Sequence, residues 1–192
     1  MDSNDSNTPM TEEEILVATV GERQPLNNTI YLAPYDSAWP AMFAQLKQRV
    51  VQALGDKILL LEHVGSTSVP GLSAKPIIDM LLVVQDSSTE DAYVASLEAQ
   101  DFTLRIREPD WHEHRLFKFA DPKTNLHVFS DGCEEIEKML RFRDWLRTHA
   151  EDRLRYEEAK RELAARTWKY TQNYADAKSK IVREIMARAR RA

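Results

Sequence analysis

The chain holds one cysteine, Cys133, in 192 residues, which excludes an internal disulfide and any zinc cluster built on several cysteines. It has no apolar run approaching the roughly twenty residues of a membrane helix, and no basic start leading into the apolar core of a secretory signal. A soluble, cytoplasmic protein with no membrane partner is therefore expected. Internal repeats are missing too, and residues 134–192 contain neither glycine nor proline, so nothing there interrupts a helical pattern.

What is present points to one domain. With 43% hydrophobic residues, a chain of this length can bury one sizeable core but not two ordinary domains joined by a linker. Residues 1–28 are rich in Asp, Ser, Asn, Thr and Glu and hold only the short apolar run Ile15-Leu16-Val17-Ala18. That composition reads as a disordered tail, leaving 29–192 as the folded unit. The net charge of −5 hides a division: residues 134–192 carry 16 Lys/Arg against 11 Asp/Glu, whereas residues 1–133 carry 10 against 20. A basic C-terminal part would draw an anionic ligand if its charges share one surface, and a solvated bundle with i,i+4 ion pairs gives the same counts. The acidic total, with aromatics at core spacings, disfavours a nucleic-acid partner. Oligomeric state is not legible.

Trp39, Met42, Phe43, Leu46, Val50 and Leu54 recur at three- and four-residue spacing, which predicts a helix over 38–54 ended by Gly55. Strands are expected at 58–64, 76–84, 102–107, 115–120 and 125–130, with a turn at 121–124 and a helix over 89–99. The run 76–84 is almost unbroken in apolar character, as in a strand buried on both faces. From Glu134 the pattern is helical, with breaks near Thr148 and Thr171. The order implies an α+β fold: a mixed sheet with helices on one face and a C-terminal helical bundle.

The segment between the first two strands concentrates the chemistry. It reads Glu62-His63-Val64-Gly65-Ser66-Thr67-Ser68-Val69-Pro70-Gly71-Leu72-Ser73-Ala74-Lys75-Pro76-Ile77-Ile78-Asp79. Backbone N–H groups at Gly65, the hydroxyls of Ser66, Thr67 and Ser68, and the ammonium of Lys75 suit the cradling of phosphate oxygens; a hydroxyl-rich turn with a solvated lysine is the plainer alternative. Asp79 tips the balance. A carboxylate inside an apolar strand needs a partner, hydrogen bonds or a metal.

Tyr35-Asp36-Ser37-Ala38-Trp39, the segment 62–71, Ala74-Lys75-Pro76-Ile77-Ile78-Asp79, Asn125-Leu126-His127-Val128, Phe142-Arg143-Asp144-Trp145-Leu146-Arg147 and Tyr174-Ala175-Asp176-Ala177-Lys178 resemble, in order, the signature blocks of the GrpB family (glutamate-rich protein B). The resemblance covers about residues 35 to 185 and implies a nucleotidyltransferase-like fold. In that superfamily a Gly-Ser loop holds nucleotide phosphates, and strand carboxylates hold Mg²⁺ for attack on the α-phosphate. The resemblance thus implies a nucleotide or phosphorylated small molecule as partner, Mg²⁺ at Asp79, and transfer of a nucleoside monophosphate. Some family members are fused to dephospho-coenzyme A kinase, which implies instead an accessory, non-catalytic role. This sequence departs from the paired-carboxylate pattern: with Asp79 as the second aspartate, Ile77 stands at the first; with Asp79 as the first, Leu81 stands at the second. A different site could join Glu62 and His63 to Asp79 and His127.

Other candidates are weaker. His112 and His114 alternate and could share a strand face as metal ligands, although Pro109-Asp110 before them favours an exposed loop. Arg115 opens an apolar strand and could meet a phosphate. Arg143 and Arg147 lie four apart on one helix, and Lys160, Tyr174 and Lys178 lie on later ones; each could face an anion or only solvent.

Overall fold

The structure, a computed structural model, describes residues 9–22 and 25–191. In chain order the elements are α1 (Glu12–Ala18), α2 (Trp39–Leu54), β1 (Leu60–Val64), β2 (Ile78–Val84), α3 (Val94–Glu98), β3 (Thr103–Glu108), β4 (His114–Phe119), β5 (Thr124–Ser130), α4 (Glu134–Thr148), α5 (Ala150–Ala164), α6 (Thr171–Ala177) and α7 (Ser179–Ala189). The strands form one mixed sheet in the order β1-β2-β5-β4-β3, antiparallel throughout except where β2 lies beside β5. The expected α+β class, mixed sheet and C-terminal helices are all present.

Strand pleating divides β2 between two environments. Ile78, Met80, Leu82 and Val84 point to one face, where they pack with Leu126, Val128 and Phe117 beneath Leu46, Val50 and Leu54 of α2 and Leu97 of α3. Leu81 and Val83 point to the other face, with Val64 and Phe129. Asp79 shares that second face. Here α4 lays Ile136, Met139 and Leu140 over the apolar part, so helices cover both sides of the sheet near β1.

The C-terminal helices close on one another and on the loop after β1. Leu146, Tyr156 and Ile185 bury together with Val69 and Leu72 of that loop, which anchors it against the bundle. Asp152 joins three helices: it accepts from Trp145 Nε1 at 2.8 Å and from Arg188 at 2.7–3.0 Å. Where two or three helical segments were expected after Glu134, four form. Between α5 and α6 the chain leaves the helix because Trp168 and Lys169 bond to the backbone of residues 26–28, with Trp168 bridged to Asn28.

Part of the segment expected to be a tail is structured. Residues 1–8 and 23–24 lie outside the described residues, but α1 buries Ile15 to 1% exposure, and Thr19 bridges to Ile106 of β3. Its start is a reciprocal capping box, with Thr11 and Glu14 each accepting from the other's backbone N–H. Deleting residues 1–28 should therefore lower stability by about 2–3 kcal/mol, the scale of exposing one buried isoleucine with its neighbours. A urea midpoint unchanged by the deletion would show that α1 contributes nothing.

Candidate functional site

The loop after β1 turns sharply at Gly65, whose φ of 68° and ψ of −173° suit glycine alone. A side chain there would also collide with Asp79: a Cβ on Gly65 would lie 2.4 Å from Asp79 Oδ2. The Gly-Ser loop and the strand aspartate are thus in direct apposition. Asp79 Oδ1 accepts from Asn125 Nδ2 at 2.8 Å, across the parallel β2–β5 pairing. Burial pushes the Asp79 carboxyl above its usual range, and the Asn125 hydrogen bond, Lys178 and Lys75 oppose that rise.

Lysines gather around this carboxylate. Lys160 of α5 is 2% exposed and donates to Ser66 Oγ at 3.2 Å and to the Ser73 carbonyl, with its ammonium 4.9 Å from the centre of the Tyr156 ring. Burial, with Lys178 adding repulsion, pushes Lys160 down to about 7. The same two causes push Lys75 down to about 8, against a counter-pull from Asp79. Lys178 lies over the Tyr174 ring at 4.8 Å. Lys75 and Lys178 thus act on the Asp79 carboxyl, and Lys160, within reach of Lys178, holds the Ser66 hydroxyl.

Several expected residues serve other purposes. Thr67 and Ser68 are buried: Thr67 Oγ1 donates to the Ile77 carbonyl and meets His63 Nε2 at 3.0 Å, while Ser68 Oγ donates to the Gly65 carbonyl. Their hydroxyls brace the loop. Arg143 donates to Glu62 at 2.7 Å, to the His63 carbonyl at 3.0 Å and to both oxygens of Asp144, and Arg147 grips the Ser68 carbonyl with two nitrogens. The α4 arginines thus tie that helix to the loop. Arg115 lies on the opposite sheet face from Asp79, paired with Glu90 and Glu113, and so is no part of the cleft. Tyr174 is buried beneath Lys178.

His127 shares the Asp79 face, one step along β5 from Asn125; Glu62 stands in the same row but beyond Leu81, two strand spacings or about 10 Å away. Gly65 against Asp79 brings Ser66 beside that carboxylate, on which Lys178 also acts, while Glu62 and Arg143 pair with each other. His63 is held near 4 by burial and by Arg147 and Arg143, and its ring stacks on Phe43. It lines a cavity of about 610 Å³ with Tyr35, Phe43 and Arg153, on a wall of the loop that excludes Asp79. A second cavity, of about 570 Å³, lies between the β1 edge and α4 and also lacks Asp79.

His114 is the main residue misplaced by sequence reasoning. It is a buried first residue of β4 rather than a loop residue, while His112 sits in a turn at φ 55° and cannot share a strand face with it. Lys160 could have been found more firmly: Tyr156, Lys160 and Ala164 recur every four residues, so the lysine lies on the buried stripe of its helix.

Residues 29–188 match the profile of the GrpB protein family. The chain belongs to the GrpB family. A UPF0157 protein of Halalkalibacterium halodurans is 57% identical over 98% of this chain and 97% of its own length, and one of Streptomyces coelicolor is 40% identical over 83% and 84%. Among solved structures, the GrpB protein of Enterococcus faecalis superposes with a TM-score of 0.69 at 28% identity, covering 83% of this chain and 96% of that one. The dephospho-CoA kinase of Mycolicibacterium paratuberculosis matches 87% of this chain at 29% identity, which is 47% of that kinase.

The cleft offers Mg²⁺ a poor donor set. Asp79 is a single carboxylate already bonded to Asn125 and flanked by Lys75 and Lys178, and among the described residues no three His, Cys, Asp or Glu are grouped to hold a metal. A hard divalent cation wants six oxygens and no neighbouring ammonium groups.

Proposed function

We propose that this GrpB-family chain binds a nucleotide or related phosphorylated small molecule in the cleft between the Gly65-Ser66 loop, Asp79 and the C-terminal helices. The observation that carries the reading is the group of Lys75 and Lys178 acting on one carboxylate with Lys160 beside Lys178, Lys75 and Lys160 being pushed down towards neutrality by burial and by Lys178. Charges that repel one another there are relieved when an anion enters. Asp79 and Asn125 hold the floor, and Ser66 offers a hydroxyl already aligned by Lys160.

The Gly-Ser turn against a strand aspartate supports a nucleotidyltransferase-like ancestry. The single carboxylate favours a binding or accessory role over nucleoside monophosphate transfer. That a dephospho-CoA kinase carries a related segment over 47% of its length suits a cytoplasmic protein working beside a phosphorylated cofactor. The test is a thermal-shift screen of nucleoside triphosphates and coenzyme A precursors, with and without Mg²⁺. A raised midpoint in the absence of metal is expected; a rise only with Mg²⁺ would restore the metal-dependent reading, and no rise with any compound would refute binding.

The pH dependence has a fixed sign. Anion binding favours charged Lys160 and Lys75, so affinity should fall as pH rises from about 7 through about 8. The stability of the free protein should move the other way. Unfolded lysines keep their protons until about 10.4, so the native state binds fewer protons above about 7 and gains stability with rising pH in that window.

A further inference from the structure

Beside the lysine cleft runs a polar chain that the anion reading leaves unused. His114 Nδ1 is 2.6 Å from Glu108 Oε2, and His114 Nε2 is 3.0 Å from His127 Nδ1. The three residues come from β3, β4 and β5 and occupy one sheet face, with the two imidazoles stacked and Phe129 stacked on His114. His127 follows Asn125 by two residues, so the partner of Asp79 and His127 lie about 7 Å apart along the same face. Among the described residues no group hydrogen-bonds to His127 Nε2.

With His127 neutral and Glu108 ionised, two proton arrangements satisfy both hydrogen bonds. If His114 is neutral, its Nδ1–H donates to Glu108, its Nε2 accepts from His127 Nδ1–H, and His127 Nε2 carries a lone pair. If His114 is an imidazolium, both its nitrogens donate, His127 Nδ1 accepts, and His127 Nε2 carries the hydrogen. In each case His127 stays neutral, consistent with burial and His114 together pushing it down to about 3. One proton on His114 thus reverses the polarity of the far nitrogen of His127, one hydrogen bond away.

We propose that His127 Nε2 is the group that meets an ionisable phosphate oxygen of the bound ligand, changing from acceptor to donor when His114 gains a proton, with Glu108 and His114 as positioning residues. The inference rests on the anion reading above. As an acceptor Nε2 suits a protonated phosphate oxygen; as a donor it suits the fully ionised one, so the cleft accepts either state. Of the other charged groups, Asp79 of β2 and Lys118 of β4 flank Asn125 on this face, and Asp176 and Lys178 lie at the α6 end, Asp176 towards Glu108 and Lys178 towards Asp79. Because Lys75 and Lys160 also exchange protons, counting protons taken up on binding does not isolate this chain; the tautomer of His127 does.

The experiment is ¹⁵N-histidine NMR on the full-length protein, with and without saturating inorganic pyrophosphate. Pyrophosphate should convert His127 from the Nδ1–H to the Nε2–H tautomer without charging it. Glu108→Gln, an isosteric change whose fold is checked by amide dispersion, should abolish the conversion, because a neutral amide holds His127 in one tautomer with and without pyrophosphate. An unchanged His127 tautomer while the Ser66 and Lys178 amides shift would overturn the relay and leave the anion reading standing. No shift of any signal with pyrophosphate would overturn both.

Discussion

Replacing Gly65 by alanine should cost about 2–5 kcal/mol and remove anion binding with it. Two independent penalties add. The backbone at φ 68°, ψ −173° is closed to residues with a side chain, and the new methyl would stand 2.4 Å from Asp79 Oδ2, 2.9 Å from its Cβ and 3.0 Å from its Cγ. Aspartate is too short to swing its carboxylate clear while its own Cβ is crowded, so the loop or β2 must shift. Either movement separates Ser66 from Lys160. The measurement is a denaturant titration beside a ligand titration; a variant of wild-type stability would mean that the loop is not seated against Asp79 as described.

Asp152→Ala should be the second large loss, about 2–4 kcal/mol. Asp152 is 5% exposed and takes hydrogen bonds from Trp145 of α4 and Arg188 of α7, so its removal leaves the indole N–H without an acceptor inside the bundle. Arg188 is 37% exposed and can turn to water, which keeps the loss below that of a fully buried pair. The Arg188 hydrogen bonds, aided by Trp145, hold the Asp152 carboxyl below its usual range. A depressed carboxylate stabilises the fold above the ordinary pKa of about 3.9 and loses that contribution as pH falls below it. The difference between wild type and variant should therefore narrow in acid. A difference that stays constant from pH 7 to pH 3 would show that Asp152 acts by packing alone.

Much of this architecture is written locally. The helix at α2 follows from one stripe, Trp39 to Leu54, and β2 from an apolar run whose single carboxylate marks the site. What escapes a reading along the chain is set by distant partners. Thr67 and Ser68 look like phosphate donors until the 3-10 turn at Ser66–Ser68 directs them into the loop's own backbone. Arg143 looks available until Glu62, far earlier in the chain, is brought beneath it by β1. His114 reads as a loop residue because two successive positive-φ residues, His112 and Glu113, make the tight turn that returns it to Glu108. The short α1 carries a capping signal in Thr11 and Glu14, but its docking depends on a bridge to β3 that no local pattern predicts.

The central claim is that lysines, without a metal, hold an anion in the cleft at Asp79. Calorimetric titration of ATP into the protein in excess EDTA, for wild type and for Lys178→Ala, tests it most directly. Lys178 is half-buried and packs over Tyr174, so its truncation should leave the fold intact while removing one charged contact. The account predicts metal-free binding by wild type and a loss of roughly ten- to a hundredfold in the variant, the worth of one charge-assisted hydrogen bond. Absence of binding in EDTA, or equal affinity in the two proteins, would contradict it.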